Sequence, residues 1–366
     1  VLARLPERRI SGGFWANLWA RDIVMSFTVT FAGRPERVTV EMGQTILEAA
    51  LAAGLPYPHG CRSGNCGACK SELIEGEVEM SPYSEYALSA AEHDQGLVLA
   101  CRSVPWSDAT VRWLDPNETV AHPIRHMDCT VTELEQATHD IRIVRLGIER
   151  GGPFDFSAGQ YAQVTFDDLP PRDFSMASRP DDAAIEFHIR TTPGGAVSPY
   201  VATQLAVGET VKVEGPYGAA HLRDAHRGPI VALAGGSGLA PIKAIVEEAL
   251  AQGMGQPITL YFGARAERDL YLESHFVALC EKHANLSFVP VLSEPDGTTA
   301  RRTGFLADAL ASDFSDLDGA KAYLAGPPVM VETCTEALRK LGVRRQDVHA
   351  DAFYTEAEKA KLEAGT

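Results

Sequence analysis

The sequence predicts a multidomain chain of mixed α+β and α/β class, with three folding units in succession. Its 366 residues exceed what one hydrophobic core ordinarily serves. The apolar rhythm changes twice along the chain. A short strand–strand–helix–strand unit gives way to about a hundred residues of short strands broken by glycine and proline, then to alternating strand and helix. Finally, three of the seven cysteines crowd into HGCRSGNCGACK (59–70), a segment with no side chain large enough to build a core.

The first unit is expected at 26–115. SFTVTF and RVTVEM flank a Gly33-Arg34-Pro35 turn and read as a hairpin. TILEAALAAG follows as a helix, with Leu47, Leu51 and Leu55 along one side and Gly54 as its cap. After the cysteine loop come SELIEGEVEM, read as one strand, and LVLACRS. Residues 116–126 carry two prolines and little periodicity, which predicts a linker. Residues 127–226 contain MDCTVTELE, DIRIVRLGI, GQYAQVTF, RDFSMAS, AIEFHIR and TVKVEGP, with a helix expected over SPYVATQLAVG. This pattern predicts a small antiparallel β-barrel. From 227 to 366, PIVALAGG, ITLYFGA, LSFVPVL, KAYLAG and VHADAF alternate with helical segments, the pattern of a doubly wound parallel sheet. Residues 1–25 fit no element and are expected to be a disordered or weakly helical extension, or an over-long reading frame.

Composition excludes several classes of function. With 33 Lys+Arg against 49 Asp+Glu, the net charge is −16, a poor basis for nucleic-acid binding. No apolar run reaches eighteen residues, so no membrane span is expected. Arg8-Arg9 invites a twin-arginine reading, but no apolar segment follows before Asp22. An odd cysteine count argues against a secreted disulfide framework and for the cytoplasm. Cys129, Cys280 and Cys334 sit in apolar periodic stretches and read as inert core thiols.

Cys61, Cys66 and Cys69 are followed by Cys101, a spacing of four, two and thirty-one intervening residues. This is the plant-type spacing for a 2Fe–2S cluster, which needs four thiolates converging on one small object. Gly60, Gly64 and Gly67 admit the tight backbone and leave amides for the sulfurs. A zinc site is the alternative, although zinc loops pair two short-spaced couples.

Other segments suggest nucleotide chemistry. In RDFSMAS, Arg172 and Phe174 would share one strand face and Asp173 and Ser175 the other. A flavin needs such a cation, aromatic and hydroxyl, yet a plain strand explains the segment alone. Gly194 and Gly195 precede a helix start, where amides favour phosphate, and a simple turn capped by Ser198 is compatible with that. AGGSGLAPI (234–242) joins a strand to a helix, where a doubly wound fold binds dinucleotides, but it lacks the GxGxxG pattern and the acidic residue about twenty positions on. Arg265 could approach an adenosine ribose or be a solvated surface residue, and Phe353 could be core or a flavin cover.

Taken in order, CRSGNCGAC with LACRS, THDI, FSAGQYA, RDFSMAS, EFHIR, PGGAVSPYV, GPYGAAHLR, GGSGLAP, YFGAR, YLAGPPVMVE and DAF resemble the NADH-dependent reductase components of bacterial ring-hydroxylating oxygenases, the naphthalene-dioxygenase reductase type above all. The resemblance implies a β-grasp 2Fe–2S ferredoxin domain, an FAD barrel and an NAD domain of ferredoxin–NADP-reductase type. It implies Cys61, Cys66, Cys69 and Cys101 as cluster ligands. Arg172 would hold the FAD pyrophosphate, Phe174 would stack on the flavin, and Ser175 would hydrogen-bond near its hydride-accepting nitrogen. His188, Ile189 and Arg190 would line the FAD, with Gly195, Ala196, Val197 and Ser198 at its phosphates. Gly235, Gly236, Ser237, Gly238 and Pro241 would frame NADH, with Gly326, Pro327 and Met330 opposite and Arg265 near the ribose. Phe353 would cover the flavin's other face, making Ser175 and Phe353 the residues at the reacting centre. Phe174 replaces a commoner tyrosine, Ser237 a frequent threonine, and Ala325 a frequent cysteine. The implied protein is a monomer that takes electrons from NADH and hands them to a terminal Rieske oxygenase or a small ferredoxin, with the 60–69 loop as the docking surface. A di-iron monooxygenase reductase and a redox sensor are the competing readings.

Overall fold

Alternating β-branched and polar residues build the first sheet from β1 (Ser26–Phe31) and β2 (Arg37–Glu41), whose inward Val29, Phe31, Val38 and Val40 are buried. The computed structural model describes residues 25–60, 62–64, 67–85, 87–114, 122–355 and 358. The expected extension, apart from Met25, and most of the expected linker therefore lie outside the described residues, as do Cys61 and Cys66.

Helix α1 (Ile46–Ala52) starts at a reciprocal Thr45/Glu48 capping box and ends just before Gly54, at φ +75. The expected strand SELIEGEVEM is two strands: β3 (Lys70–Glu75) and β4 (Val78–Met80). The break falls at Gly76, at φ +96, where a Cβ would stand 2.5 Å from the Asp108 carbonyl oxygen. A short helix α2 (Ala90–Asp94), which the sequence reading overlooked, leads to β5 (Leu97–Leu99), β6 (Ser103–Pro105) and β7 (Ala109–Trp113). The sheet order β2-β1-β7-β3-β5 against α1 is the expected β-grasp unit.

The barrel comprises β8 (Arg125–Gln136), β9 (Ile141–Arg150), β10 (Tyr161–Phe166), β11 (Arg172–Ser175) and β12 (Ile185–Arg190), then helix α3 (Val197–Thr203) and β13 (Thr210–Tyr217). Arg125 and His126, read as linker, already pair with Gly215 and Glu214. The order β11-β10-β13-β8-β9-β12 closes through a bridge between Met176 and Phe187. Helix α3 stops short of the expected end because Leu205 turns into the barrel core.

The last unit runs β14 (Ile230–Gly235), α4 (Leu239–Ala251), β15 (Ile258–Ala264), α5 (Glu273–Lys282), β16 (Leu286–Leu292), β17 (Arg302–Thr303), α6 (Leu306–Asp313), β18 (Lys321–Gly326), α7 (Pro328–Lys340) and β19 (Val348–Ala352). All neighbouring pairs in the order β17-β16-β15-β14-β18-β19 are parallel. Alternate residues of β14 face opposite ways: Ile230, Ala232 and Ala234 pack with α4 and α5, Val231 and Leu233 with α6 and α7. Strand β17 and helix α6 went unread in the sequence. Cys129 and Cys334 are fully buried, and burial pushes each thiol up to about 12, as inert core thiols require. No helix among the described residues is long and apolar enough to cross a membrane.

Candidate cofactor sites and the contacts between them

The fold brings Cys69, at the entry to β3, beside Cys101, in the turn after β5. Both are buried, and the Cys101 amide donates to Cys69 Sγ at 3.5 Å. The loop that leads into Cys69 is sterically committed. A Cβ on Gly67, at φ +74, would stand 2.8 Å from the Ala87 carbonyl oxygen, and one on Gly64, at φ +77, 2.9 Å from Arg102 Cγ. Arg62 Nε and Nη2 and Arg102 Nε are buried without hydrogen-bond partners. Converging thiols, an amide aimed at sulfur and unspent cationic donors suit an anionic iron–sulfur cluster. Donors of that charge would disfavour an empty loop.

The loop is docked on the barrel. Tyr161 Oη donates to the Gly60 carbonyl at 2.7 Å, and the Arg62 guanidinium lies 3.7 Å from the centroid of the Tyr217 ring. Burial works to lower the Arg62 pKa, but Tyr161, Tyr217 and Asp173 outweigh it and hold the guanidinium above its ordinary value. Tyr161 sits opposite Ser175 on β11 and opposite Tyr217 on β13. The cluster loop therefore lands one strand away from Ser175. The 60–69 segment was expected to be an open docking surface. Of that segment, Gly60 and Arg62 touch the barrel through Tyr161 and Tyr217 and both remain partly exposed.

On β11, Phe174 is half-buried between Phe166 and Phe187, Arg172 is half-exposed, and Ser175 is buried. Ser175 Oγ donates to Asp351 Oδ2 at 2.7 Å, joining barrel and nucleotide unit. On β12, Ile189 points into the barrel core. The His188 side chain is wholly buried between Tyr271 Oη at 2.9 Å and Glu186 Oε1 at 3.0 Å, so it offers a ligand only its backbone. Burial would raise the Glu186 carboxyl, but His188, Lys243 and Arg145 hold it well below the usual range. Lys243 of α4 also donates to the Ala177 carbonyl at 3.1 Å, so this network fixes the barrel against the parallel sheet. Gly195 and Ala196 are exposed ahead of α3, while Val197 is buried. Ser198 is not the cap: Ala196 holds that position, and Ser198 Oγ accepts the Thr192 amide at 2.9 Å.

At the carboxyl ends of β14 and β18 two loops meet back to back. A Cβ on Gly238 would stand 2.1 Å from the Ala325 carbonyl oxygen, and one on Gly235 would stand 2.5 Å from Met330 Sδ and 3.0 Å from Pro327 Cδ. Gly236 and Ser237 form one 3-10 turn leading into α4, in which Pro241 is buried. The Phe353 amide donates to the Gly326 carbonyl at 2.9 Å, which puts the Phe353 ring at the same sheet end. Gly236, at φ +56, takes a backbone conformation that favours glycine, and a Cβ there would stand 3.2 Å from Arg190 Nη1. A bare backbone at the carboxyl edge of a parallel sheet, facing the barrel strand that carries Ser175, suits a dinucleotide meeting a flavin. Arg265, 51% exposed in its side chain, is flanked by Asp140 at 3.9 Å and Asp269 at 3.6 Å.

Sequence reading missed Asp351, which lies inside the DAF segment. It also missed the Glu186–Lys243–Tyr271 network and the pair Arg62 and Tyr217. Only Asp351 left a sequence signal, an acid near the end of the short strand VHADA.

Such a chain gathers a nicotinamide site, a flavin site and an iron–sulfur site into one molecule, and this defines a class of three-domain oxidoreductase. Family models match each part: the 2Fe-2S iron-sulfur cluster binding domain over 29–105, the oxidoreductase FAD-binding domain over 128–222 and the oxidoreductase NAD-binding domain over 232–336. The reductase component of the naphthalene 1,2-dioxygenase/salicylate 5-hydroxylase systems of Ralstonia sp is 41% identical, over 87% of this chain and 95% of its own length. The naphthalene 1,2-dioxygenase reductase component of Pseudomonas putida is 39% identical, over 85% and 94%. Among solved structures, the Amycolatopsis cytochrome P450 reductase GcoB superposes with TM-score 0.74 at 38% identity, covering 89% of this chain and 98% of its own. The chain belongs to this family of ferredoxin–NAD(P)+ reductase components, with 2Fe–2S, FAD and NAD domains in that order.

Proposed function

We propose that the protein takes electrons from NADH, passes them through FAD to its 2Fe–2S cluster, and delivers them singly to a terminal Rieske oxygenase or its small ferredoxin. The observation that carries this reading is the hydrogen bond from Tyr161 to Gly60, because Tyr161 lies directly across the ladder from Ser175. When bound, the nicotinamide supplies a hydride, FAD holds two electrons, one or none, and the cluster accepts one at a time. The chain's own residues orient and exclude. Phe174 and Phe353 would bracket the flavin, Arg172 and the 195–198 amides would hold its phosphates, and the glycines at 235–238 and 326 would admit the nicotinamide. Ser175, held by Asp351, keeps a hydroxyl oxygen at the reacting edge. Cys69 and Cys101, with Cys61 and Cys66, would ligate the cluster.

NADH is the preferred donor in this reading. Asp140 and Asp269 already counter the charge of Arg265, which leaves a 2′-phosphate little to gain there. Buried Cys129 and Cys334 suit a reducing cytoplasm, and the working unit is read as a monomer. The test is a pair of NADH-dependent assays. Ferricyanide should be reduced with or without the cluster, whereas cytochrome c should need it. Equal cytochrome c reduction by Cys101→Ser would refute the route.

A further inference from the structure

We propose that Arg62 and Tyr217 are positioning residues that latch the cluster loop onto the flavin barrel, and so set how fast electrons cross from barrel to cluster. The inference rests on the electron-transfer reading above. Arg62 has φ 54, in the left-handed region that a long side chain normally avoids. Such strain persists only where the surroundings fix it, and it gathers at functional sites. Here the conformation aims the side chain off the ferredoxin unit and across to the barrel.

The guanidinium lies face-on over Tyr217, 3.7 Å from its centroid, in cation–π geometry. Tyr217 is itself braced. Its hydroxyl donates to Glu214, its ring lies 5.6 Å from that of Tyr161, and His59 meets it edge-on at 6.2 Å. Tyr161 then holds Gly60 at 2.7 Å. Two anchors two residues apart, Gly60 and Arg62, thus flank the position of Cys61. One of them reaches β10 and the other β13, and Tyr161 links both to Ser175. The unpaired buried Nε and Nη2 of Arg62 are unspent donors beside the cluster loop, which gives the latch a second attraction toward an anionic centre.

The electron count closes with two passages. Each NADH yields two electrons and a proton. The electrons cross the latch one after the other, and two acceptor molecules are each reduced by one.

The experiment compares holoprotein with Arg62→Gln, Arg62→Lys, Tyr217→Leu and the Arg62→Gln/Tyr217→Leu double variant. Anaerobic stopped-flow with NADH follows flavin and cluster bleaching separately. An EPR-monitored titration gives the cluster potential, and small-angle X-ray scattering gives the radius of gyration. The latch predicts unchanged flavin bleaching, about tenfold slower cluster bleaching and a larger radius in Arg62→Gln and Tyr217→Leu. The double variant should be no worse than either single, and Arg62→Lys should recover part of the loss. Unchanged cluster bleaching with an unchanged radius would overturn the latch. So would slowing in Arg62→Gln alone that matches a shifted potential, since Arg62 would then act only as a charge. If NADH bleached nothing in the parent protein, the functional reading would fail, and the scattering comparison would still decide the latch.

Discussion

Ser175 Oγ donates a 2.7 Å hydrogen bond to Asp351 Oδ2, a bond between residues 176 positions apart that spans the seam between barrel and parallel sheet. Ser175 ends β11 on the barrel and Asp351 lies on the last strand, β19. The pair fixes the hydroxyl's proton toward the carboxylate and leaves its oxygen lone pairs toward the seam.

Ser175→Ala should therefore slow NADH-driven flavin bleaching about 10- to 100-fold, the worth of one hydrogen bond to a charged group, with flavin content unchanged. Asp351→Asn keeps an acceptor for the Ser175 hydroxyl and should cost less. Stopped-flow at 450 nm reads both. Equal loss in the two variants would mean that the carboxylate charge, rather than the serine's orientation, matters.

Cys69→Ser or Cys101→Ser removes one of the two thiols that the structure brings together. Each purified variant should lose iron and the iron–sulfur bands, keep FAD, and retain ferricyanide reduction while cytochrome c reduction collapses. Metal analysis with visible spectra checks this. Zinc in stoichiometric amount in the parent protein would contradict the cluster assignment.

Gly238→Ala inserts a methyl group 2.1 Å from the Ala325 carbonyl oxygen, a backbone atom that cannot swing aside. The expected cost is on the order of 1–3 kcal/mol of stability. Weakened nucleotide affinity should accompany it, because the loops from β14 and β18 must part. Denaturant unfolding and NADH titration read the two effects.

His221 is buried, and burial followed by the charge of Arg223 depresses its pKa to about 3. The folded chain thus keeps it neutral while the unfolded chain protonates it near pH 6.5. Its contribution to stability is complete above pH 6.5 and is lost as pH falls toward 3, at up to about 1.4 kcal/mol per pH unit. His221→Asn, which keeps a donor for the Leu222 carbonyl, should show a shallower decline between pH 6.5 and 5 in urea melts.

Much of this was legible in the sequence because period and punctuation carried it. The barrel strands, the parallel sheet and the ββαβ unit all came from apolar rhythm. The cluster site came from cysteine spacing and the dinucleotide seam from glycines between strand and helix, while the flavin roles of Arg172, Phe174, Ser175 and Phe353 came from the family resemblance alone. What stayed hidden depended on contacts between units. Nothing in the spacing of Arg62 and Tyr217, or of Ser175 and Asp351, says that they meet, because tertiary docking alone joins them. The same docking buries the His188 side chain, which the family resemblance had placed along the FAD, between Glu186 and Tyr271. The split of SELIEGEVEM was missed because a strand's apolar pattern does not record the carbonyl that crowds Gly76.

In the proposed route, electrons enter at the nicotinamide seam, cross the barrel and leave through the cluster. Anaerobic absorbance titration of the purified protein with NADH, repeated with NADPH, tests it most directly. Flavin and iron–sulfur bands should both bleach, and NADH should be far more effective than NADPH. Bleaching of the flavin alone, or a protein with no iron–sulfur band, would contradict it.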